Sequence, residues 1–141
     1  MAYTTRALLE AQFGVKNIAE WADLDNDRSP ATITARITAA IAYADGYIDD
    51  RLRASPYTVP VVDTAGTAAP PTLVDVATRL AAVWLYESRG VQETDPETGR
   101  PIHRLYWCKE DAEVKLRAVA SGQMRLDSTT ADPAIAQAVS E

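Results

Sequence analysis

The sequence predicts an all-α domain: a small bundle of four to five helices with a short extended arm or minor β element and a mobile C-terminal tail. Three stretches carry that prediction. Between residues 30 and 53, Ile33, Ile37, Ile41, Ala44, Ile48 and Leu52 recur at three- and four-residue steps. From Thr72 the residues Leu73, Val76, Ala77, Leu80, Val83 and Trp84 form a second stripe, and Leu105, Ala112, Leu116 and Val119 form a third over residues 102–121.

Taken in order, the chain begins with a short helix over residues 6–12. Thr4 or Thr5 can cap it, Leu8, Leu9 and Phe13 supply apolar contacts, and Gly14 suits the stop. One or two further turns carry Val15, Ile18, Ala19 and Trp21 before the acidic loop Asp23-Leu24-Asp25-Asn26-Asp27-Arg28. Ser29 is a good N-cap for the long helix. Pro30 takes its first position, where the missing N–H leaves no hydrogen bond unmade. Arg36, Asp45 and Asp49 fall on the opposite, solvated face.

Residues 54–71 read as an extended arm and loop. Ser55-Pro56-Tyr57-Thr58-Val59-Pro60-Val61-Val62 is extended in character, and Pro60 restricts any strand there to an edge. The small residues from Thr64 to Pro71 form a connection. Thr72 and Asp75 have the spacing of a capping box for the next helix, which ends before Gly90. Residues 91–101 form a polar loop that turns around Asp95-Pro96-Glu97-Thr98-Gly99. Gly122 is placed to end the last helix, and Gln123-Met124-Arg125-Leu126 is a candidate short strand. The domain is therefore residues 1–126. Residues 127–141 form a tail in which Asp132-Pro133 caps a short helix bearing Ile135 and Val139, expected to order on a partner.

The 141 residues suffice for one domain with a real core, since roughly two-thirds of the surface of a chain this size is buried on folding. Fourteen basic residues against 20 acidic ones give a net charge of −6. The sections 1–53, 54–71 and 72–141 carry −2, −1 and −3, so no basic arm exists to wrap phosphates. No apolar run approaches a membrane span, and Met-Ala-Tyr-Thr-Thr-Arg is not a secretory signal, so the expected compartment is cytoplasmic.

Chemistry is thin. Asp23, Asp25 and Asp27 match positions 1, 3 and 5 of a calcium loop, but Arg28 and Thr34 stand where Gly and a bidentate Glu are required. His103 and Cys108 fall about 140° apart on a helix and do not face one another. The pairs Asp49-Asp50 and Glu110-Asp111 diverge as helical neighbours do, and no phosphate loop or nucleophile elbow is present. An enzyme is not expected, nor a metal or cofactor. An enzyme would need carboxylates from separate helices, such as Asp49 and Glu87, gathered in one pocket. Of the three tryptophans, Trp84 belongs to a core stripe, while Trp107 lies off the Leu105, Ala112, Leu116 side and is a candidate interface residue.

The order of these features carries a resemblance. Tyr3 and Thr5 open the chain, followed by Phe13-Gly14 and the acidic Asp25-Asn26-Asp27. A long helix then ends on Ile48, Asp49 and Arg51, and Tyr57 and Pro60 mark the extended segment. A Pro-capped helix runs from Pro71 to Tyr86, and a last helix reads Leu116, Ala120, Gly122 into Met124 and Leu126. This set resembles the phage head–tail connector, or head-completion adaptor, family of the Mu Gp36-like kind over residues 1–126. The 91–101 loop is longer than the family's usual link, and the 127–141 tail extends past its usual end. The resemblance implies a structural virion protein. It would form a homo-oligomeric ring, commonly of twelve subunits, under the portal protein. The ring would join the DNA-filled head to a tail-side completion or terminator protein, at the head–tail junction, after assembly in the host cytoplasm. DNA would pass through the channel without specific binding. A helical binding or scaffolding module that never forms rings is the alternative. The interface residues expected on this reading are Tyr57, Val59, Pro60 and Val61 of the arm, Trp107, and Ile135 and Val139 of the tail.

Overall fold

In the computed structural model, which describes residues 2–89, 96–99 and 105–126, five helices account for the regular structure: α1 (Arg6–Phe13), α2 (Val15–Ala22), α3 (Pro30–Leu52), α4 (Pro71–Glu87) and α5 (Tyr106–Ser121). There is no strand among the described residues, and the minor β element reduces to one isolated bridge residue at Tyr57. Gln123–Leu126 is likewise not a strand.

The cap chemistry expected of α1 and α3 is realised. The Thr5 side chain accepts from the Leu8 N–H, and Ser29 Oγ accepts from the Thr32 N–H with Pro30 following at the first position. Gly14 stands between α1 and α2 at φ +96°, a backbone state that an L side chain rarely adopts. Gly122 closes α5 in the left-handed conformation. The Thr72–Asp75 capping box is not formed. α4 starts one residue earlier behind Pro70, with no side-chain cap, and Asp75 turns to Arg79 and Lys115 instead.

α4 is the central element and packs against each of the other four helices. Nine of its 17 residues are buried, among them Leu73, Val76, Leu80, Val83 and Leu85. A helix apolar nearly all round has to be enclosed by its neighbours. Arg36 Nη2 donates to Ser88 Oγ at 2.7 Å, bringing the start of α3 to the end of α4. On the other flank Lys109 meets Glu87 at 3.6 Å and Lys115 meets Asp75 at 3.4 Å, so α4 and α5 run antiparallel. α1 and α2 cover the rest of α4, with α2 also against α3.

Candidate interaction surface

The polar groups of the interior hold the chain's own segments together. Tyr3 is 2% exposed and links three of them. Its backbone N–H donates to Asp45 Oδ1 at 2.8 Å, and its hydroxyl donates to Asp49 Oδ1 at 2.5 Å. The same hydroxyl accepts the Val61 N–H at 2.8 Å. Burial first, and then the Asp49 carboxylate, hold the Tyr3 hydroxyl protonated well above its ordinary range. Burial also raises the Asp45 carboxyl, against the opposing effect of the Tyr3 N–H. Tyr57 repeats the device: its hydroxyl accepts the Leu126 N–H at 2.8 Å and ties the end of the described chain to the 54–70 segment. Thr4 and Thr78 share a buried hydroxyl contact of 2.7 Å.

These bonds hold the extended 54–62 segment against the domain. Tyr57 and Val61 are buried, at 5% and 0% exposure, because each lies under a tyrosine-mediated anchor. Val59 is half-buried and packs on the core, and Pro60, joined to it by a cis peptide bond, faces out. Of the four arm residues, Pro60 is therefore the one displayed. Downstream, the segment folds back on itself, with the Asp63 N–H donating to the Ala68 carbonyl at 2.7 Å and the Asp63 carboxylate accepting from Thr67. Arg36, Asp45 and Asp49 likewise depart from the plain solvated face expected of α3.

Asp23 organises the acidic loop. Its two carboxylate oxygens accept the Asp27 and Arg28 N–H groups at 3.2 and 3.1 Å, closing a tight loop in which Asn26 and Arg28 have positive φ. Arg89, one residue past Ser88, clamps the same loop through Asn26 Oδ1 and the Glu20 carbonyl. Asp49 and Glu87 do not meet: the first serves Tyr3, the second pairs with Lys109. Among the described residues no three His, Cys, Asp or Glu side chains gather in a metal-sized cluster. Cys108 is half-buried against the core, and His103 lies outside the described residues.

Among the described residues, two surfaces display aromatic side chains. On α5, Trp107 is 67% exposed and Val114 is 56% exposed. Seven residues apart, they sit on one outward face, with Tyr106 edge-on to Trp107 at 5.3 Å. Trp107 thus stands where the sequence placed it, off the buried side. The second surface was not foreseen. Arg36 lies 4.5 Å over the Trp84 ring, Trp84 stacks on Tyr43 at 5.9 Å, Tyr43 meets Tyr47 at 6.0 Å, and Arg51 lies 5.4 Å over Tyr47. The result is a ladder of rings with a guanidinium at each end. Trp84 is accordingly half-buried and does not sit wholly in the core, whereas Trp21 is buried between Phe13 and Tyr86. The i, i+4 spacing of Tyr43, Tyr47 and Arg51 was readable on α3; the Trp84 and Arg36 partners require the fold. Ile135 and Val139 lie outside the described residues.

The fold and its surfaces define an all-helical protein that displays aromatic side chains on two sides of a tightly cross-linked core. The family model described as Bacteriophage Mu, Gp36 matches residues 3–140, and the chain belongs to that family. It is a phage structural protein. The match runs through the 91–101 loop and nearly to the last residue, so the tail is part of the family's extent, contrary to the expectation that it extends past it. No curated protein matches the chain.

Proposed function

We propose that this protein is a head–tail connector of the virion. It forms a ring beneath the portal and joins the DNA-filled head to a tail-side completion or terminator protein. The family match over residues 3–140 carries the reading. The two surfaces support it. The Trp107–Val114 face and the Arg36–Trp84–Tyr43–Tyr47–Arg51 ladder are separate: Glu113 meets Tyr47, and Val114 points about 100° away around α5. Different faces contacting successive neighbours make heterologous contacts, which close into a ring when the rotation permits. Trp, Tyr and Arg are the residue types on which such contacts concentrate their affinity. The net charge of −6 suits a conduit that DNA crosses without being bound.

Cryo-electron microscopy of the head–tail junction in intact particles tests the proposal. A ring of this chain between portal and tail is the expected result, with twelve subunits the number to be counted. Its absence from the junction sinks the connector reading and favours a helical module that never forms rings.

A further inference from the structure

A groove of about 540 Å³ lies open between α1 and α4. Pro71, Val74, Asp75 and Thr78 form its floor, and Leu8 and Ala11 form one wall. Leu8 is 43% exposed there. Asp75, its ionised group, is already engaged by Arg79 at 3.2 Å and Lys115 at 3.4 Å. Leu8, Ala11, Ala69, Pro71 and Val74 give the lining an apolar majority, with Gln12, Asp75 and Thr78 at its polar positions, a mixture that suits a helix–helix seam. α1 and α5 flank α4 without packing against one another as each packs against α4. Among the described residues, nothing covers this side of the central helix.

We propose that residues 132–140 of the same chain dock in this groove as a short helix. The length of chain beyond Leu126, and where it departs, support this. α5 runs antiparallel to α4, so its C-terminal end lies beside Pro71 and Val74 at the N-terminal end of α4. After Gly122 the Met124 N–H returns to the Ala118 carbonyl at 3.0 Å, and Leu126 is held by Tyr57. From there the five residues 127–131 span up to about 17 Å, and a nine-residue helix over 132–140 adds about 13 Å.

The segment has the chemistry of the groove. Asp132 and Pro133 supply an N-cap and first position, and Ile135, Ala138 and Val139 fall at i, i+3 and i+4. Residues 133–140 carry no charge, so the one charge of the segment, Asp132, stands at its N-cap end. A helix this short is marginal alone and forms when its apolar stripe finds a surface. Tethering gives the chain's own tail an effective concentration in the millimolar range, which favours its own groove over a neighbour's. The surface on which the tail orders is then part of the chain itself.

Disulfide trapping in the full-length chain tests the docking. In a Cys108→Ser background, Ala11→Cys is combined in turn with Ile135→Cys, Val139→Cys or Gln137→Cys, and the proteins are mildly oxidised. Cross-linked monomer is expected for positions 135 and 139 at a yield about fivefold above position 137, unchanged on dilution, because a bridge needs Cβ atoms about 4 Å apart. Cross-linked dimers would mean that a second copy fills the groove, and equal or absent cross-linking would mean that no register exists; either overturns the proposal. Amide exchange gives a second reading without new cysteines. Residues 134–140 should be protected in the native chain and lose protection in Leu8→Asp, a change at an exposed position that leaves the core intact. Absence of protection in the native chain also overturns the proposal. Neither measurement depends on whether the chain joins head to tail.

Discussion

α4 and α5 have nearly the same length, 17 and 16 residues, and lie antiparallel against each other, yet they do opposite work. α4 buries nine residues and carries three charges; α5 buries only Ala112, Leu116 and Val119 and carries six charges. α4 packs against all four other helices and supplies most of the core. α5 gives one narrow stripe to that core and turns Trp107 and Val114 outward. The difference teaches where to look for contacts with other chains: on the helix whose apolar residues exceed what its own core can cover.

The comparison is broken most forcefully inside α4. Leu85 is fully buried, so Leu85→Ala removes a side chain and leaves a cavity in the most enclosed helix. Loss of about 2–5 kcal/mol is expected, measured by chemical denaturation with an unchanged slope. A loss below 1 kcal/mol would show that α4 is less tightly enclosed than its burial implies.

Next in size is the tyrosine anchor. Tyr3→Phe keeps the ring but leaves the Val61 N–H and the Asp49 carboxylate without their hydroxyl partner, at a cost of about 1–3 kcal/mol. The same substitution has a pH signature. The Tyr3 proton is held more tightly in the folded chain than in the unfolded one, where it leaves near pH 10. The folded state therefore keeps this contribution in full below pH 10 and loses it as pH rises above that value. Native protein should destabilise steeply in that alkaline range, and Tyr3→Phe should flatten the slope. Parallel curves for the two proteins would mean that the hydroxyl is not held in this way.

That anchor also marks the limit of what the residue order conveys. The α3 start was legible because Ser29-Pro30 is a local device, and so was the α5 stop at Gly122. The α4 start was legible in Pro71 but not in its expected capping box. Thr72 and Asp75 have capping spacing, but Asp75 finds two cations across and along the helix, and Pro70-Pro71 already sets the entry. The 54–70 segment has the composition of an arm, and only the hydroxyls of Tyr3 and Tyr57 convert it into a packed strap. Residues 58 positions apart in sequence meet there, and no local pattern encodes that. On the surface, Trp107 was readable by its misfit to a helical stripe. The ring ladder was not, because it draws on α3 and α4 together.

A smaller effect is expected where α4 and α5 meet at their polar edge. Asp75, Arg79, Asp111 and Lys115 form a closed network with contacts of 3.1–3.4 Å. The Asp111 carboxylate, followed by Asp75, raises the Lys115 ammonium above its ordinary range. All four side chains remain partly solvated, between 25% and 45% exposed, so the network fixes register more than it adds stability. Lys115→Met should cost no more than about 1 kcal/mol, and the difference from native protein should shrink as salt is raised. A loss that persists undiminished in high salt would place the lysine's contribution in packing.

Trp107→Ala should disturb the folded monomer least of all, within about 0.5 kcal/mol, because an exposed side chain away from cavities and caps contributes little to stability. Its effect belongs to assembly. If the outward face of α5 is a contact surface, removing its largest side chain should weaken incorporation into heads by tenfold or more, as central aromatic residues of interfaces do when truncated. Equal thermal midpoints combined with reduced incorporation would separate the helix that presents from the helix that packs. An unstable variant that incorporates normally would reverse the assignment and make Trp107 part of the fold.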